Sequence, residues 1–130
     1  MNALASQGLL ALAVALGAVF GALARWKVGL WLNPLWAGFP LGTLAVNLVG
    51  GLLAGGAYVL LGRTPHELAR LLLVTGFLGG LTTFSSFSAE SLALIEKGRA
   101  GLAVAHTLAH VLGALGCAVL GARLARIWWA

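Results

Sequence analysis

The chain has 130 residues, 61% hydrophobic and 8% charged, with a mean hydropathy of +1.01. Soluble domains carry about 25% charged residues, so this composition excludes a soluble globular domain and indicates one domain, residues 1–130, integral to a membrane. The net charge of +5 comes from basic residues scattered in ones and twos. With no basic run or aromatic-interleaved patch, nucleic acid is not an expected partner, and lipid headgroups are the natural neighbours of these positives.

The first apolar segment covers about residues 8–32. No Lys or Arg precedes it and it runs on to Trp31, so it reads as a retained membrane helix and not a signal peptide. Its Gly17-x-x-x-Gly21 pattern lets another helix backbone approach closely. Residues 33–40 connect it to a second segment, about 41–61, which holds Thr43, Asn47 one turn later, and Gly51-x-x-x-Gly55. In the next connection, Thr64-Pro65-His66-Glu67 predicts a helix start, with Thr64 as N-cap, Pro65 in the first turn and Glu67 at the third position. A third segment, about 68–95, is apolar overall but carries Gly76, Gly79, Gly80, Thr82, Thr83, Ser85 and Ser86 in its middle. Irregular backbone at membrane depth survives only where protein or a water-filled path satisfies its polar groups. This stretch therefore predicts a broken helix beside an ion or polar solute. The fourth segment, about 101–124, carries His106, His110 and the lone Cys117, which excludes an intrachain disulfide. Each segment is near or above the ~20 residues needed to span a bilayer. Trp26, Trp31, Trp36, Trp128 and Trp129 fall near segment ends, where an aromatic belt belongs.

Four spans put both termini and the second loop on one side, with Arg63, Arg70, Arg123 and Arg126. The other side holds Arg25, Lys27, Lys97 and Arg99, a tally of four against four. Orientation normally follows the Lys/Arg bias of short loops. Without a bias, either another feature sets the orientation, or both orientations are made and the working unit pairs two inverted copies about an axis in the membrane plane. Four helices also enclose little interior, which favours a dimer.

Asn47 lies near mid-span. Two readings stay open for it: an interhelical hydrogen-bonding group, or a donor of two N–H groups to an anion in a pore. Phe84 and Phe87 share one helix face. They either pack, or turn the positive edges of their rings toward a small anion. Arg25 and Glu90 fall near span ends, where a side chain snorkels to the interface or serves as a vestibule or structural group. No acid sits at the centre of a span, where a proton-coupled exporter needs a titratable relay. His106 and His110 also share a face. Two histidines with no Cys, Asp or Glu nearby in sequence make a weak metal pattern, so polar lining or interhelical bonding is the stronger reading. The sequence has no Ser-His-Asp pattern, paired carboxylates, phosphate loop or redox motif, which argues against an enzyme.

Three motifs together resemble the Fluc (CrcB) family of fluoride channels. They are Gly21-Ala22-Leu23-Ala24-Arg25 in the first span, Gly42-Thr43-Leu44-Ala45-Val46-Asn47 in the second, and the run from Gly76 to Glu90 in the third, GFLGGLTTFSSFSAE. The resemblance covers the whole chain. It implies an all-α membrane protein of four transmembrane helices, the third broken, assembling as an antiparallel, dual-topology homodimer. Each dimer would hold two antiparallel pores in a prokaryotic plasma membrane and release fluoride passively from the cytoplasm. By position, Asn47 would be the pore amide, Phe84 and Phe87 the rings lining the path, and Thr43 and Ser85 accompanying hydroxyls. Gly79 and Thr82 would offer backbone carbonyls to a structural Na+ at the dimer centre. Arg25 would match the first-span arginine and Glu90 the acid near the vestibule. The last span departs from the pattern: His106 and His110 stand where Tyr and Ser often form a polar track, and Ala114 where another hydroxyl is expected. A neutral His donates one hydrogen bond, and a protonated one attracts anions. The rival reading is a small dual-topology, proton-coupled exporter of hydrophobic cations, for which Glu90 is the only carboxylate within a span.

Overall fold

The computed structural model describes residues 2–129, and all regular structure among them is helical. Helix α1 (Ala3–Leu32) runs into a short 3-10 turn (Asn33–Leu35), and α2 (Leu41–Arg63) follows. Helix α3, residues 67–81, joins an α-helical turn (Glu67–Arg70), a wider π-helical stretch (Leu71–Leu78) and a last α turn (Gly79–Leu81). After a two-residue break come α4 (Phe84–Glu96) and α5 (Ala100–Trp128). The four apolar units are Ala3–Leu35, Leu41–Arg63, Glu67–Glu96 and Ala100–Trp128, each long enough to cross a membrane.

The first helix starts earlier than the sequence reading, at Ala3, and the last runs on to Trp128, and one helix cap also differs. The N-cap of α3 is His66, not Thr64. The Thr64 hydroxyl turns back to the Leu60 carbonyl, 3.5 Å away, at the end of α2. His66 takes the extended conformation instead, and its Nδ1 accepts from the Ala69 N–H at 3.3 Å. Glu67 becomes the first helical residue, where its charge still meets the positive end of the helix dipole.

Two glycine seams set the packing. A Cβ on Gly17 or Gly21 would collide with backbone atoms of Leu72, Phe77 and Leu81, so α1 lies directly against α3. On the other side, Gly51 and Gly55 of α2 face the carbonyls of Ala114 and Ala118 on α5, and Gly121 faces Leu52. Both Gly-x-x-x-Gly patterns thus act as close-approach surfaces. The apolar core is thin. Val46, Leu78 and Leu81 form one cluster, and Phe39, Leu94 and Ala103 another. Leu12, Leu16, Leu112, Leu115 and many other large apolar side chains lie exposed on the outside, as suits a surface solvated by lipid. The five tryptophans are exposed too.

Candidate ion pathway

The break between α3 and α4 organises the site. Thr82 (φ −84°, ψ 155°) and Thr83 (φ −150°, ψ 118°) are extended. Such backbone would leave unpaired polar groups at membrane depth, each costing several kcal/mol, so their partners matter. The Asn47 amide clamps Thr83 at both ends: Oδ1 accepts the Thr83 N–H at 2.8 Å, and Nδ2 donates to the Thr83 carbonyl at 3.0 Å. Thr83 Oγ1 accepts the Ser86 N–H at 3.0 Å and so caps α4. Thr82 Oγ1 donates to the Leu78 carbonyl at 2.8 Å.

This wiring releases carbonyls. In an unbroken helix the Thr83 N–H would bond to Gly79 O, and the Ser86 N–H to Thr82 O. Both donors are diverted, to Asn47 and to the Thr83 hydroxyl. Gly79 and Thr82, the residues expected to offer carbonyls to Na+, are thus among the four, 79–82, whose oxygens lose their helical donors at the break. The donor chemistry suits a hard cation, although two oxygens make an incomplete set. The Gly80 carbonyl accepts from Arg25 Nε at 3.0 Å. Arg25 thus braces the break from α1 and forms no pair with Glu90.

A chain of polar groups lies beside the break. Glu90 Oε1 accepts from the Thr43 hydroxyl at 2.5 Å, and its Oε2 lies 3.0 Å from His106 Nε2. His106 is fully buried, with Nδ1 2.9 Å from Ser91 Oγ. The Phe87 ring stacks on His106 (centroids 5.2 Å, 12°), and Phe39 meets the same imidazole edge-on at 4.9 Å. His110, one turn on, lies 4.5 Å from His106 between centroids and 4.9 Å from Phe87. Its Nδ1 is 3.0 Å from Asn47 Nδ2. Both Asn47 N–H groups, considered above as donors to an anion, are therefore engaged within the chain.

Asn47, Gly79, Thr82, Phe84, Phe87 and His110 share an open groove of about 510 Å3. Phe87 is buried, but Phe84, 5.2 Å away between centroids, is 76% exposed. Thr43, Glu90 and His106 form the network behind this groove. Arg25 and Thr43 share a separate, smaller recess. Ser85 is exposed on the outer side, 3.2 Å from the Thr83 hydroxyl.

Potential ligand atoms of Glu90, His106 and His110 lie within 4.8 Å of one another. Sequence spacing hid this trio, because Glu90 comes from the preceding helix. A cation bound by all three would have to displace the His106–Glu90 hydrogen bond, and His110 meets that pair only through ring contact with His106. Ser91 and Phe39 are further members that no motif pointed to.

A family model described as CrcB-like protein, Camphor Resistance (CrcB), matches residues 12–122. The chain is similar to the fluoride-specific ion channel FluC of Aromatoleum aromaticum, 48% identical over 119 residues that cover 90% of this chain and 91% of that one. The protein of the same name from Pseudomonas aeruginosa is 50% identical over 112 residues, covering 85% and 88%. That from Chromobacterium violaceum is 52% identical over 106 residues, covering 80% and 84%. These relatives are named as ion channels, not enzymes.

Proposed function

The chain belongs to the CrcB-like family of multi-pass membrane proteins, and we propose that it is a fluoride-selective channel allowing passive exit of fluoride from the prokaryotic cytoplasm. One observation carries the reading at the level of residues: the groove beside the helix break gathers two phenylalanine rings, an imidazole and released backbone within a membrane span.

Fluoride is small and strongly hydrated, so a path must replace lost water with donors. Phe84 and Phe87 offer positive ring edges and His110 a polar hydrogen, while Thr43 and His106 back the path through their bonds to Glu90, and Ser85 stands beside the Thr83 hydroxyl. Asn47 holds the wall in shape. A narrow path of this kind rejects the larger chloride through size and donor placement. Fluoride enters a cell as neutral HF, dissociates at the higher internal pH and is trapped as the anion. A passive channel suffices to drain it.

The working unit is a homodimer of two inverted copies with two antiparallel pores. The even Lys/Arg tally supports insertion both ways. The open groove and the exposed Phe84 ring support a second copy as the missing wall. Gly79 and Thr82 carbonyls, together with the same pair from the second copy, would hold Na+ at the dimer centre. When bound, the ion supplies fixed positive charge and satisfies the released oxygens.

The test is efflux from liposomes loaded with potassium fluoride and chloride, with valinomycin to balance charge. The reading requires rapid fluoride loss while chloride is retained. Folded dimers that release neither ion would overturn it.

A further inference from the structure

The hydrogen bonds around Asn47 fix more than the helix break. A backbone N–H only donates, so the atom facing the Thr83 N–H at 2.8 Å must be the Asn47 oxygen, and the amide orientation is settled. The group facing His110 Nδ1 at 3.0 Å is then the Asn47 NH2, which also only donates. Nδ1 must therefore be the bare, accepting nitrogen of the ring. In a neutral imidazole the proton then sits on the other nitrogen. That nitrogen, His110 Nε2, is buried and has no hydrogen-bond partner among the described residues. An N–H donor without an acceptor is rare inside a protein and calls for an explanation.

His106 provides the contrast on the same helix face. Both of its ring nitrogens are engaged, one by Glu90 and one by Ser91. The orphan donor thus belongs to one imidazole only, the one in the groove wall and 4.9 Å from Phe87 between ring centroids.

We propose that Asn47 is a positioning residue that holds His110 in its Nε2–H form, and that this N–H, not the Asn47 amide, is the donor presented to a small inorganic anion in the groove. The inference rests on reading the groove as an anion path. It gives a role to the histidine that stands in place of a hydroxyl residue. An anion accepting from Nε2–H would have the Phe87 ring as a neighbour, so a ring edge and an N–H would share its desolvation. Nε2 is closed off from solvent in the single chain, so the anion must part the side chains around it to reach the proton.

The experiment uses the full chain in lipid bilayers with 15N-labelled histidine rings, read by solid-state NMR, alongside the efflux assay on the same preparation. In chloride buffer, His110 should show a protonated Nε2 and a bare Nδ1. Potassium fluoride should shift the Nε2–H resonance, and equal potassium chloride should leave it in place. His110→Gln, which keeps an N–H donor, should retain efflux, while His110→Leu should lower it about tenfold or more, the scale of one hydrogen bond to a charged group. A proton on Nδ1 would overturn the proposal. So would an Nε2–H signal indifferent to fluoride in a preparation that conducts fluoride. If fluoride is not conducted but Nε2–H responds to another halide, the fluoride reading fails while the donor assignment stands.

Discussion

The rings of Phe87 and His106 lie nearly parallel, 12° apart with centroids separated by 5.2 Å. Phe87 thereby belongs to the buried cluster of α4 and α5, whereas Phe84, its partner in the motif, projects from the chain with 76% of its surface exposed. The two phenylalanines share a helix face and have different structural duties. Phe87→Ala opens a cavity against His106 and His110 and should cost about 3–5 kcal/mol of stability. Phe84→Ala should cost far less in the separated chain, yet still lower fluoride efflux. Thermal unfolding in detergent, compared with efflux for each variant, checks this. Equal losses of stability would remove the distinction.

Asn47→Ala strips the Thr83 N–H and carbonyl of their side-chain partner at membrane depth. Leaving a buried polar group unsatisfied costs about 1–3 kcal/mol, so this variant should unfold earlier as well as conduct less. The companion change Thr83→Val keeps the backbone clamp and removes only the hydroxyl that caps Ser86 and meets Ser85. It should cost about 0.5–2 kcal/mol. Denaturation midpoints that order the two the other way would mean that the clamp is not what holds the break.

Glu90 already accepts from Thr43 and pairs with His106. Glu90→Gln keeps an acceptor for Thr43 but sets an NH2 group against His106 Nε2. Efflux should fall, and on the channel reading what remains should run without a proton gradient. Proton-coupled transport that vanishes in Glu90→Gln would instead support the exporter reading.

Dual insertion is tested by labelling. In a Cys117→Ala background, Gly62→Cys places a thiol in the exposed last turn of α2, beside the second connection. In whole cells a membrane-impermeant maleimide should reach about half of the copies, as expected where the Lys/Arg bias of the loops is absent. All or none of the copies labelled from one side would exclude an inverted pair.

Removal of Na+ should weaken the assembly, because Gly79 and Thr82 would be left with unpaired oxygens. Exchange of Na+ for N-methylglucamine throughout purification, followed by size analysis and efflux, should give less dimer and slower fluoride loss, both restored by added Na+. Identical behaviour in the two buffers would remove the ion from the scheme.

Hydropathy and residue type along the chain were enough to determine four membrane spans and to locate the interruption of the third, because apolar length and the density of glycines and hydroxyls are local properties. The two Gly-x-x-x-Gly seams were legible for the same reason: a missing side chain is visible without knowing its neighbour. Tertiary structure decided the wiring. Asn47 meets Thr83 36 positions away and His110 63 away, Thr43 meets Glu90 across 47, and Arg25 reaches Gly80 across 55. Helix packing sets those separations, and no periodicity records them. The fourth-span histidines looked like isolated polar lining until α4 brought Glu90 and Ser91 against His106. The Asn47 amide looked free to meet an ion until both of its N–H groups found partners within the chain. Even the start of α3 turned on whether Thr64 closes α2 or opens the next helix, a competition between two backbone partners that only their positions in space resolve.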